Sequence, residues 1–67
     1  MTKPHDVKAC LVDVDGSLRV LARDGTAREI VEGDNKTGRT VYLRSGIEHH
    51  AGQDVMIYRW NRHEPGA

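Results

Sequence analysis

The sequence has almost no cysteine: Cys10 stands alone among 67 residues. An internal disulfide is therefore impossible, and no paired-cysteine metal motif can be drawn. Within Ala9-Cys10-Leu11-Val12 the thiol reads as a small buried hydrophobe. Long apolar runs are missing too, so nothing matches the roughly 20-residue span of a transmembrane helix. Met1 to Asp6 carries one lysine with no apolar stretch behind it, which is not a signal-peptide pattern. The expectation is a cytoplasmic protein with no membrane partner. Surplus charge is lacking as well, with ten Lys and Arg against ten Asp and Glu. Dedicated nucleic-acid binders carry excess basic charge for phosphate contacts, so a neutral chain ranks that class second. At 67 residues there is one domain at most, with a thin core and marginal stability. Both prolines lie near the ends.

The residues that are present point to strands. Ten Val and Ile stand against four Leu, which favours sheet over helix. Turn signals recur at Asp15-Gly16, Asp24-Gly25, Gly33-Asp34-Asn35 and Ser45-Gly46, separating short apolar runs. Strands are predicted at 7–14, 18–23, 26–32, 39–44 and 54–61. The predicted fold is all-β: a five-stranded, twisted antiparallel sheet closing into an SH3-like or similar small barrel. Residues 7–62 form the domain, with flexible tails at 1–6 and 63–67. A meander that dimerises to cover its second face is the close alternative.

Register can be argued at the first two turns. A three-residue loop after Asp13 sets Val12 opposite Leu18 and Cys10 opposite Val20, whereas a two-residue loop would put Val12 opposite Arg19. The same loop length after Ala22 sets Leu18 opposite Ile30 and Arg19 opposite Glu29, pairing opposite charges on the outer face. It leaves Arg28 on the inner face beside Val20, a weakness in that register. Ser45-Gly46-Ile47-Glu48 fits a capping box, which predicts one short helical turn near residues 46–51.

Three motifs invite chemistry. Cys10-Leu11-Val12-Asp13-Val14-Asp15-Gly16-Ser17-Leu18 resembles the nucleophile motif of the haloacid-dehalogenase-like phosphatases. That resemblance implies a nucleophilic Asp13, an acid–base Asp15 and magnesium. It covers nine residues, after which the chain runs through a short strand into a second Asp-Gly turn rather than a helix crossover. The string therefore reads as a hairpin, and the chain as no enzyme. His49 and His50 are adjacent, so their rings diverge and make a poor chelating pair. No metal or other cofactor is expected. No serine has a base at a recognisable spacing.

The string Val55-Met56-Ile57-Tyr58-Arg59-Trp60-Asn61-Arg62 carries the functional expectation. Alternation puts Val55, Ile57 and Arg59 on one side, with Met56, Tyr58 and Trp60 on the other. Both sides are largely apolar, so this strand either has neighbours on both faces or offers one face to a partner. Trp, Tyr and Arg are the usual interface anchors. The reading is a non-catalytic bacterial or phage accessory module that binds another protein, or a second copy of itself, through Tyr42, Tyr58, Arg59, Trp60 and Arg62. The alternative is a small barrel binding RNA or single-stranded DNA through Arg39, Arg44, Arg59, Arg62 and the same aromatic rings.

Overall fold

The computed structural model describes residues 7–66. The expected N-terminal tail, residues 1–6, lies outside the described residues, as does Ala67. Five strands run in order: β1 (Lys8–Val12), β2 (Leu18–Asp24), β3 (Glu29–Asp34), β4 (Gly38–His50) and β5 (Gln53–Glu64). They form one sheet in the order β2-β1-β5-β4-β3, curled into an open half-barrel, with no helix among the described residues. β5 continues past the expected domain end at residue 62, pairing His63 with Thr40 and Glu64 with Arg39.

The sheet is mixed, which corrects the purely antiparallel expectation. β1 and β5 run parallel, while β1–β2, β3–β4 and β4–β5 are antiparallel. Topology explains the exception. An up-and-down meander with an odd number of strands brings its first and last strands together in the same direction when it curls. The apolar β5 thereby gains a neighbour on each side, which a terminal strand of a flat meander would lack.

The three-residue first loop is present: Cys10 faces Val20, and Val12 faces Leu18. The Gly16 N–H donates to the Asp13 carbonyl at 2.8 Å and the Asp13 N–H to the Ser17 carbonyl at 3.0 Å, with Gly16 at φ 86°. A type I turn leading into a left-handed glycine gives this pattern. The expected β2–β3 hairpin is absent; the two strands occupy opposite edges of the sheet. Their connection is drawn over the core instead. The Gly25 N–H donates to the Val7 carbonyl at 2.7 Å, and the Tyr58 hydroxyl donates to the Ala27 carbonyl at 2.6 Å. Arg19 and Glu32 bridge the two edge strands through a forked ion pair, Nη2 to Oε1 at 2.6 Å and Nη1 to Oε2 at 3.1 Å.

The predicted helical turn near 46–51 is also overturned. Gly46 to His50 pair with β5 without a break, beyond a bulge between Arg44 and Gly46. A single helical turn forms one costly nucleus, whereas pairing satisfies the backbone throughout and aligns His49 with Asp54 at 3.0 Å. The hairpin tip is Ala51-Gly52, with φ 51° and 81°, so both central residues are left-handed. A side chain with a Cβ is strained there, and Ala51→Gly should therefore stabilise the protein by about 1 kcal/mol. Urea unfolding should show a higher midpoint at unchanged slope; an unaltered or lower midpoint would mean the tip is not held in this turn.

β5 buries both faces. Val7, Ala9, Leu11, Ile30, Tyr42, Met56 and Tyr58 form one cluster, with Leu21 packed against it. On the other face Cys10, Val55 and Ile57 pack with Val12. Cys10 is fully buried, as its apolar surroundings in sequence suggest.

Candidate protein-binding surface

Alternation along β5 carries Tyr58 and Trp60 toward the same side, yet the fold separates them. Tyr58 lies opposite Leu11 of β1 and Arg44 of β4, inside the cluster, and has no exposed surface. Burial pushes its phenol pKa upward, against the field of the nearby Arg44 and Arg23 guanidiniums. Tyr42 is buried as well, at 3% exposure. Neither ring is on the surface the sequence suggests, because both fill the inside of the curl. Trp60 lies two residues further on, past the end of β1, and is 38% exposed.

Trp60 and Arg59 form one wall of a shallow open groove of about 320 Å³. The opposite wall is the end of β1, with Val12, and the β1–β2 loop, with Asp13, Val14 and Gly16. This loop is braced from three directions. Besides the backbone bonds of its turn, the Ser17 N–H donates to the Asp15 carboxylate at 3.0 Å. That bond holds the Asp15 carboxyl below the usual range. The Tyr42 hydroxyl donates to Asp13 Oδ1 at 2.5 Å, tying β4 to the loop. Burial first, and then the bond to Asp13, push the Tyr42 pKa up to about 12. Tyr42 thus supports the groove from beneath instead of lining it.

Further exposed apolar side chains lie in the β1–β2 loop and on β2. Val14 is 76% exposed, Leu18 50% and Val20 48%. Sequence reasoning stacks Leu18 and Val20 against Val12 and Cys10 on one face. The pairing is as expected, but β2 is an edge strand, so no neighbour covers their far side. Exposed apolar groups clustered in this way mark interaction surfaces more often than isolated ones do.

The arginines at the rim are already engaged. Arg59 contacts Glu48 at 3.1 Å, while Arg62 and Arg39 share Glu64 at 3.1 and 2.9 Å. Glu64 is held below the usual carboxyl range, first by its hydrogen bond from Arg62. His49 pairs with Asp54, and His50 reaches Glu48 at 2.8 Å on the far side of the hairpin tip. Asp13 and Asp15, the carboxylates of the phosphatase-like string, are both occupied in bracing the loop. Among the described residues no group of three or more His, Cys, Asp or Glu converges as a metal site, and no helix is long and apolar enough to cross a membrane. The sequence signal for the loop's role was Asp13-Val14-Asp15-Gly16 itself, which marks a tight turn but not the tryptophan across from it. Compared with known proteins, the chain matches no family model, no curated sequence and no solved structure.

Proposed function

We propose that the protein is a small non-catalytic binding module, SH3-like or similar in scale and use, that docks another protein through the Trp60 groove. The observation that carries this reading is a partly exposed tryptophan facing a braced loop that carries the exposed Val14. A tryptophan so placed can bury a large rigid surface at small entropic cost, and arginines at its edge supply directional contacts. Tyr42 and Tyr58 serve by positioning, and Arg59 and Arg62 by forming the rim. A cytoplasmic accessory role in a bacterium or phage is consistent with the small size, and self-association through the same face is the competing protein partner.

The nucleic-acid reading has less support, because three of its four arginines, Arg39, Arg59 and Arg62, are matched to glutamates. Phosphate binding would have to displace those carboxylates. Trp60→Ala should cost a bound protein partner 2 kcal/mol or more, about thirtyfold in Kd, while circular dichroism stays as in the parent. A pull-down from the native host identifies that partner, and titration calorimetry then measures the loss. Equal affinity of the variant and the parent would exclude the groove as the docking site. Solution mass at several concentrations separates a foreign partner from a second copy.

A further inference from the structure

The seven arginines divide into two sets. Arg19, Arg39, Arg59 and Arg62 each contact a glutamate. Arg23, Arg28 and Arg44 contact no carboxylate among the described residues, and all three gather round the β2–β3 connection. Arg23 precedes the last residue of β2, and Arg28 immediately precedes β3. Arg44 is fixed from β4: its N–H donates to the Arg28 carbonyl at 3.0 Å, and its Nη1 donates to the Thr26 carbonyl at 3.2 Å. Arg28 and Arg44, with Glu29 and Leu43, line an open groove of about 460 Å³, larger than the one beside Trp60.

In a chain of zero net charge, the groove lining sets the two guanidiniums of Arg28 and Arg44 against the one carboxylate of Glu29, which leaves it net positive. The groove also has an apolar element, since Leu43 is 42% exposed. Its single carboxylate, Glu29, repels a multiply charged phosphate more than a single carboxylate, and it can accept a hydrogen bond from a peptide N–H. We infer that this groove binds an acidic, extended segment of another protein, with a carboxylate held between Arg28 and Arg44 and a neighbouring apolar side chain on Leu43. Arginine suits this task because its planar fork matches a carboxylate in two-point contact. The surface is separate from the Trp60 groove, and the inference does not rest on it.

The test is fluorescence anisotropy of the full chain with a labelled decapeptide containing Glu-Leu-Glu-Leu-Glu, beside its Gln-for-Glu counterpart. The Glu peptide should bind at 50 mM NaCl and weaken tenfold or more at 300 mM, as screening of exposed charges requires. The Gln peptide should bind at least tenfold more weakly. Arg28→Glu should lose tenfold or more, and Arg28→Ala, which adds no charge, at least threefold with unchanged melting. Arg39→Gln should stay within twofold of the parent. Amide shifts on titration should centre on Arg28, Glu29, Leu43 and Arg44. Equal binding of the two peptides, shifts centred elsewhere, or no binding at low salt would each overturn the assignment. So would displacement of the peptide by oligo-dT or inorganic phosphate at lower concentration, which would make the groove a phosphate site.

Discussion

Tyr58→Ala should lose most of the protein's stability to urea, whereas Tyr58→Phe should lose a smaller part, with a modestly lowered midpoint. Tyr58 is the largest fully buried side chain, and it sits where β1, β4 and β5 meet. Truncating a buried aromatic residue costs about 3–5 kcal/mol, through lost transfer energy and the cavity left behind. At roughly 0.05–0.15 kcal/mol per residue, a chain of this length has about 3–10 kcal/mol of stability in total. The alanine variant therefore removes most of it. Phenylalanine keeps the ring but leaves the Ala27 carbonyl without its 2.6 Å donor, at a cost of about 1–2 kcal/mol. Circular dichroism with urea titration distinguishes the three proteins. A Tyr58→Ala variant melting like the parent would place the ring on the surface, as an interface residue, and would contradict its packing between β1 and β4.

The contrast between Tyr58 and Trp60 shows which features were legible in the sequence. Strand character was, because Val and Ile dominate the apolar residues and glycine turns divide them. The β1–β2 register was legible too, since only one loop length set Val12 against Leu18 and Cys10 against Val20. Alternation correctly split β5 into two apolar sides. The end point of each neighbouring strand lay outside its reach: β1 stops beside Arg59, so Tyr58 is roofed and Trp60 is not. The second Asp-Gly turn had the same local signature as the first, yet it formed no hairpin. Its outcome was decided by contacts distant in sequence, from Val7, Arg44 and Tyr58 to the 25–28 segment. The Ser45-to-Glu48 capping pattern failed for a similar reason, because a long β5 was available to pair with it. Local rules held where local contacts decided the structure, and the parallel β1–β5 pairing depended on contacts they do not describe.

The same long-range contacts position both candidate surfaces. The Trp60 groove uses the loop that enters β2, and the arginine groove uses the connection that leaves it. β2 spans seven residues, so the two lie roughly 20 Å apart at its ends. Each is braced by a buried tyrosine whose hydroxyl reaches outward: Tyr42 to Asp13 on the first, Tyr58 to Ala27 on the second. The two tyrosines expected to touch a partner thus become supports for the segments that could. Damage to one support should loosen one surface and spare the other, provided the sheet survives.

Gly25→Ala should destabilise the protein by about 2–4 kcal/mol, far beyond the usual cost of an exposed loop substitution. A Cβ on residue 25 would lie 2.3 Å from the Met56 Cβ, 3.0 Å from its Cγ and 3.3 Å from the Val7 carbonyl oxygen. The first atom is the root of a side chain on β5, held between Ala9 on one strand and Ile47 on the other. It cannot swing aside as a chain end could. The 25–28 connection must therefore lift, which stretches the 2.7 Å bond from the Gly25 N–H to Val7 and uncovers the cluster below. Shortening the neighbour tests the geometry. Met56→Ala keeps the Cβ, so the double variant Gly25→Ala/Met56→Ala should recover little of the loss. Gly46→Ala is the control, since a Cβ there meets nothing within 4 Å, and its urea midpoint should change by no more than about 0.5 kcal/mol equivalent. A Gly25→Ala midpoint as small in its shift as that control would show that the connection does not rest on Met56. In that case the groove formed by Arg28 and Arg44 would lose its fixed wall.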